Sequence, residues 1–161
     1  MRKVLLGIVG ICAAGYSSPV FMDADWAKSF CEVWNNTPTL VGELGKSESW
    51  TEVQERKLFL YRKDCGDSKQ IQLTIKNEGG KATCVYGGPK QDEKTDNDFL
   101  MYADTKRWME MGRKEYGPMK AMMFGRLKFK GPKWVAMRNM GPFEAFLDAI
   151  DAVEADTSKC P

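Results

Sequence analysis

An α+β domain, with a five-stranded, mainly antiparallel sheet covered on one face by helices, is the fold this sequence predicts. Three observations carry that expectation. Residues 69–76 (KQIQLTIK) alternate apolar and polar side chains between turn signals, as a half-buried strand does. Three such strands follow one another with short turns, which argues for an antiparallel meander with one solvated face. Amphipathic helical patterns flank them at both ends of the chain.

The elements run in order as follows. Arg2 and Lys3, an apolar run from Val4 to Ala14 and the break at Ser17-Ser18-Pro19 have the three-part layout of a secretory leader, and the run is too short to span a bilayer. The same run also fits a buried first strand or helix. Residues 1–19 are therefore set apart as leader and linker, 20–156 as the domain and 157–161 as a tail. Export places the protein in the periplasm or outside the cell; without a leader it is cytoplasmic. Asp23 caps a helix whose Trp26, Phe30, Val33 and Trp34 share one face, ended by Asn35-Asn36 and Pro38. Residues 39–56 read as a polar connecting loop with room for a helical turn. Strands are expected at 57–64, 69–76 and 81–86, with a hairpin at Asn77-Glu78-Gly79-Gly80.

A charged loop over 90–98 leads to a fourth strand, 99–103, and Asp104-Thr105 starts a helix bearing Trp108, Met109 and Met111. A short helix over 119–124 is closed by Gly125, and 126–130 (RLKFK) alternates as a fifth strand. Helix follows over 134–153, broken at Gly141-Pro142, with Phe143, Phe146, Leu147, Ile150 and Val153 on one side.

Composition excludes several functions. The 161 residues suffice for one domain with a full core. There are 24 basic and 22 acidic residues, without the basic excess of a nucleic-acid binder. There is no histidine, which removes the commonest general base and metal ligand and rules out Ser–His or Cys–His catalysis. The five cysteines, Cys12, Cys31, Cys65, Cys84 and Cys160, show no C-x-x-C spacing, so no metal site and no cofactor is expected. Loss of a leader containing Cys12 leaves an even number, compatible with disulfides of unspecified pairing.

The segment Gly117–Gly131, GPMKAMMFGRLKFKG, stands out. Three methionines and a phenylalanine lie within six residues, a flexible and polarisable group that suits either a ligand surface or an irregular core. The segment resembles the signature of the sterol carrier protein type-two domain, Pro-x-Lys-Ala-hydrophobic-x-x-Gly-[Lys/Arg]-Leu-Lys-hydrophobic-x-Gly. The matching positions are Pro118, Lys120, Ala121, Met122, Gly125, Arg126, Leu127, Lys128, Phe129 and Gly131. The order of elements is similar over about residues 22–153, and specifically so over 97–140. Pro132-Lys133-Trp134 departs from the polar and small residues usual after the last glycine.

The resemblance implies a non-enzymatic domain that holds a sterol, fatty acyl chain or similar lipid in an apolar tunnel between sheet and helices. On that basis the tunnel is lined by Ile71, Leu73, Ile75, Met101, Trp108, Met119, Met122, Met123, Leu127, Phe129, Met137, Phe143, Phe146, Leu147 and Ile150, although the same periodicity also marks plain core. The implied partner is a hydrophobic small molecule. The alternative is an accessory protein presenting a hydrophobic or quinone-like substrate to a partner enzyme. Arg126, Lys128, Lys130 and Lys133 form a basic edge suited to transient contact with anionic head groups, or simply to water. Asp92, Glu93, Asp96 and Asp98 lack the glycine and terminal glutamate of a calcium loop.

Overall fold

A computed structural model describes residues 17–161, so the proposed leader and Cys12 lie outside the described residues. Helix α1, Ala24–Asn35, starts where its sequence says it should. The Asp23 carboxylate accepts from the Trp26 N–H at 2.8 Å and, through its other oxygen, from the Val20 N–H at 3.0 Å. Trp26, Phe30 and Trp34 are buried from α1, while Val33 is half-buried at the edge of that face.

The sheet contains β1 (Glu55–Arg62), β2 (Ile71–Glu78), β3 (Lys81–Pro89), β4 (Phe99–Ala103) and β5 (Lys128–Lys130), in the order β3-β2-β1-β4-β5. Three of the four pairings are antiparallel; β1 and β4 run parallel. The β2–β3 connection is a two-residue turn, since Glu78 pairs with Lys81, and Gly79 and Gly80 both have positive φ, at 60° and 76°. That geometry is the type I′ turn suited to a right-twisted hairpin. A bulge follows: Thr74 pairs with Tyr86 but Ile75 with Cys84, which leaves Val85 unpaired. At Gly87 an added Cβ would stand 2.4 Å from the Ala27 carbonyl oxygen, so glycine lets α1 lie directly on β3. The Cys31–Cys84 disulfide bonds the two elements there.

Several boundaries differ from the sequence expectation. The strands expected at 57–64 and 69–76 each sit two residues away, because residues 63–65 close a 3₁₀ turn after β1. The fifth strand is only three residues long, as Arg126 and Leu127 finish the turn out of the preceding helix through bonds to the Ala121 carbonyl. Residues 39–51 hold more helix than the single turn allowed for them: a π-turn at Thr39–Glu43 runs into the short helices α2 (Leu44–Lys46) and α3 (Glu48–Thr51). Their glycines and serines hide the helical pattern, but Leu40, Leu44 and Trp50 are buried and hold the turns by packing. The sheet's second face is also not simply solvated. Gln72 accepts from the backbone N–H groups of Gln91 and Asp92, and its amide donates to the Asp92 carboxylate, drawing the 90–98 loop over buried Phe59. The Lys90 ammonium lies 5.6 Å above the Phe59 ring.

Beyond β4 come α4 (Thr105–Gly112), α5 (Pro118–Met123), α6 (Lys133–Arg138), α7 (Met140–Ala149) and a final 3₁₀ turn, Ile150–Ala152. The expected break at Gly141-Pro142 falls instead at Asn139. Pro142 sits in the first turn of α7, where its missing N–H costs nothing.

The inner face of β1 places an arginine at each end of the Leu58–Leu60 pair, and both arginines are buried. Arg62 donates from Nε to the Thr105 hydroxyl and from its terminal nitrogens to the carbonyls of Phe21, Thr157 and Lys159. Together with the Cys65–Cys160 disulfide, it fixes the last five residues to the body of the domain. Burial pulls the Arg62 pKa down, with Asp64 and Asp156 opposing.

Asp64 accepts from both the Thr105 N–H and hydroxyl at 2.9 Å, so it caps α4 in place of Asp104. Burial pushes its carboxyl up, but the Thr105 bonds and Arg62 outweigh this and hold it below the ordinary value. A carboxylate depressed on folding stabilises the native state above its unfolded pKa and loses that contribution as pH falls through the folded pKa. Asp64→Asn should thus be less stable than wild type at neutral pH, by the ~0.2–1 kcal/mol of exposed charge contacts. The gap should close below about pH 4; urea melts across that range test it, and a constant gap contradicts it.

Candidate functional site

Between the sheet and α7 lies an apolar cavity of about 50 Å³. Leu58, Phe99, Met101 and Phe129 form its sheet side, and Phe143 and Phe146 come from α7. Trp34 of α1, Leu40, Leu44 and Trp50 close one end, and Val135, Ala136, Asn139 and Pro142 the other. The lining contains no titratable group.

Six of these residues form a closed circuit of rings. Trp34 meets Trp50 at 6.4 Å between centroids, Trp50 stacks on Phe99 at 5.7 Å, and Phe99 meets Phe129 at 5.6 Å. Phe129 to Phe143 is 5.9 Å, Phe143 to Phe146 6.5 Å, and Phe146 returns to Trp34 at 6.3 Å. All lie within the range of favourable aromatic pairs. The indoles are anchored from outside the cavity: Trp34 Nε1 donates to the Ala82 carbonyl at 2.9 Å, and Trp50 Nε1 to Asn77 Oδ1 at 2.8 Å.

Arg56 braces the same wall. Its guanidinium stands 5.2 Å from the Trp50 ring centroid and 5.8 Å from that of Phe99. It donates to the backbone carbonyls of Trp50, Asn97 and Ser49. Burial lowers its pKa, opposed by Glu52 and Asp98. A planar donor fork that can also lie against an aromatic face serves here, which an ammonium would not.

Asn139 is the one polar residue in the lining. Its Nδ2 donates to Ser49 Oγ at 2.9 Å and to the Val135 carbonyl at 2.7 Å, so both amide hydrogens are committed to the protein.

A second, outer cleft of about 300 Å³ opens to the surface between α5 and α6. Met119, Met122 and Met123 of α5, Lys133 and Met137 of α6, Phe129 and Ala136 line it. Phe129 and Ala136 line both spaces, so the two are neighbours with these side chains between them.

Eight of the residues expected in the tunnel thus border one of the two spaces. Met101, Phe143 and Phe146 border the inner cavity, Met119, Met122, Met123 and Met137 the outer cleft, and Phe129 both. Ile71, Leu73, Ile75, Trp108, Leu127, Leu147 and Ile150 are buried in packed core and border neither. Trp34, Leu40, Leu44, Trp50, Leu58, Phe99, Val135, Ala136, Asn139 and Pro142 border the inner cavity without being singled out from sequence. A bulky aromatic in the polar 39–56 stretch was the available signal for Trp50, and the helical spacing that put Trp34 on the core face for Trp34.

A mainly antiparallel sheet, with helices on one face and an apolar, aromatic-lined cavity between the layers, defines an α+β pocket protein with no dissociable group in its pocket. The pattern of the SCP-2 sterol transfer family matches residues 43–144, and the chain belongs to that family. Its fold is similar to the crystal structure of sterol carrier protein 2, with 18% identity, a TM-score of 0.56, and 83% of this chain and 98% of that one covered. It is also similar to the solution structure of a conserved hypothetical protein from Thermus thermophilus described as possibly a sterol carrier protein. There the identity is 21% and the TM-score 0.54, with 89% of this chain and 99% of that one covered. No curated protein matches the chain in sequence.

Proposed function

We propose that this protein binds an apolar lipid-like molecule non-covalently and carries it without changing it chemically. The observation that carries the proposal is the aromatic circuit around an apolar cavity, which shares Phe129 and Ala136 with a methionine-lined surface cleft. The inner space of about 50 Å³ is far below the roughly 300–1,000 Å³ of ligand pockets, whereas the outer cleft reaches the lower end of that range. Binding therefore joins the two: the partition opens and an acyl chain or sterol-like body passes from cleft to cavity. Burial of its surface at roughly 25 cal/mol per Å² drives this step. Methionines, with unbranched and flexible side chains, let the cleft take ligands of differing outline.

Absence of chemistry is supported by the lack of histidine in the chain and of any titratable group in the inner lining. Family membership supports the ligand class. Export is proposed too, supported by the bridges Cys31–Cys84 and Cys65–Cys160, which suit an oxidising compartment. Intact mass of protein from its own host should show loss of roughly the first 14–25 residues; the full chain recovered from cytoplasm contradicts export.

Lipid extracted from natively purified protein and identified by mass spectrometry is the direct test of the carrier reading, and a protein that neither holds nor takes up any lipid overturns it. Met122→Lys sharpens it. Met122 is half-buried in the cleft, so the ammonium either meets the ligand's apolar body, costing several kcal/mol of binding, or snorkels to water. Reduced binding of a fluorescent fatty acid, with a near-normal melting curve, is expected; unchanged binding in a folded variant removes Met122 from the site.

A further inference from the structure

The cations of this chain are unevenly placed. Residues 116–143 include six basic residues, Lys120, Arg126, Lys128, Lys130, Lys133 and Arg138, and no acidic one. The rest of the chain carries 18 basic residues against 22 acidic. None of the six forms an ion pair with a described carboxylate. The same segment contains five of the six large apolar side chains that stand exposed among the described residues: Met119, Met123, Phe124, Trp134 and Met137. Phe124 is 64% exposed, Met123 74% and Trp134 51%. Apolar tips in such number mark a contact surface.

The two sets are interleaved in space. Lys120 lies one helical turn before Met123 on α5 and before Phe124 at its C-terminal cap. The Arg126 guanidinium sits 5.7 Å from the Phe124 ring centroid and 4.6 Å from that of Tyr116. The Lys128 ammonium lies beside Gly125, 3.3 Å from where a Cβ would stand. Lys133 precedes Trp134 and lines the outer cleft with Met137.

We propose that this face docks on the surface of an anionic lipid bilayer. Met123, Phe124 and Trp134 enter the head-group region, and the lysines and arginines beside them reach the lipid phosphates on their long stems. Charge decides the partner. An uncompensated cationic patch on an otherwise anionic chain fits a negative leaflet, and scattered flexible lysines need only a diffuse negative surface. Docking does not depend on the cleft being a ligand site. Exchange of lipid through the cleft, which opens within the docked face, does rest on that reading.

Trp134 makes the test clean, because the other tryptophans, Trp26, Trp34, Trp50 and Trp108, are all buried. With vesicles of equal parts phosphatidylcholine and phosphatidylglycerol, the emission of the full chain should shift to shorter wavelength and be quenched by acyl-brominated lipid. Pure phosphatidylcholine or high salt should greatly weaken both effects. Lys120→Glu combined with Lys128→Glu should lower co-sedimentation with the anionic vesicles by at least about tenfold. Phe124→Ser combined with Trp134→Ser should also lower it, and melting curves check that both variants fold. Neither pair lines the cavity or cleft, so fluorescent fatty-acid binding without vesicles should stay at wild-type level in both. Loss of that binding in the wild type refutes the carrier reading alone. Unchanged Trp134 emission with anionic vesicles, or co-sedimentation of both variants at wild-type level, overturns the docking face.

Discussion

Ala136→Phe should abolish lipid uptake while leaving the domain folded. Ala136 is one of the two side chains shared by the inner cavity and the outer cleft. A phenyl ring there has open space on the cleft side, so the usual overpacking penalty of about 1–3 kcal/mol should fall at its lower end. The ligand fares differently, because the ring occupies the passage it must use and adds to Phe129 across the partition. An affinity loss of at least about a hundredfold, near 3 kcal/mol, is expected from excluding the ligand's buried portion. Titration with a fluorescent fatty acid, beside a thermal melt, separates the two effects. Wild-type affinity in a folded Ala136→Phe would mean that ligand does not pass between Phe129 and Ala136.

Reducing both disulfides should destabilise the protein more than any single core truncation. Cys31–Cys84 spans 53 residues of sequence and ties α1 to β3, and Cys65–Cys160 spans 95 and ties the turn after β1 to the C-terminus. Bridges over such long loops remove much unfolded-state entropy and contribute about 2–4 kcal/mol each. The sum is comparable to the whole stability of an ordinary domain, about 5–15 kcal/mol. Urea melts with and without reductant should show the midpoint falling by more than about 1 M. Arg62 should moderate the second loss, since its bonds to the Thr157 and Lys159 carbonyls hold the same terminus. Cys160→Ser and Arg62→Met should therefore combine non-additively. Identical midpoints in both redox states would contradict the assigned stabilising role.

Some of this molecule is local chemistry, and that part was legible in the sequence. The Asp23 cap, the Gly79-Gly80 turn and the limits of β4 depend on nearest neighbours, and the structure shows each. The run from Pro118 to Gly131 also carried the family, as the match over residues 43–144 shows. Failures occurred where packing overrides propensity. Gly42, Gly45 and the serines of 39–51 argue for loop, yet burial of Leu40, Leu44 and Trp50 holds helical turns there.

The buried arginines illustrate the other limit. Nothing in ERKLFLYR says that Arg56 and Arg62 face inward, because their partners are the Thr105 hydroxyl and backbone carbonyls from residues 49–50, 97, 21, 157 and 159. Cavity and core were likewise inseparable by pattern. Ile75 and Met101 are both apolar, buried and on the same face of the sheet, yet only Met101 borders the open space. By itself the sequence determined an α+β domain of this family, free of histidine chemistry, with its cations and methionines gathered near one motif. Only the tertiary structure decided which six aromatic rings close on one another, which cysteines pair, and that Phe129 and Ala136 border both the cavity and the outer cleft. The physical reason is that hydrophobic burial is non-directional: it selects which residues go inside, while the distances among them are set by how sheet and helices pack.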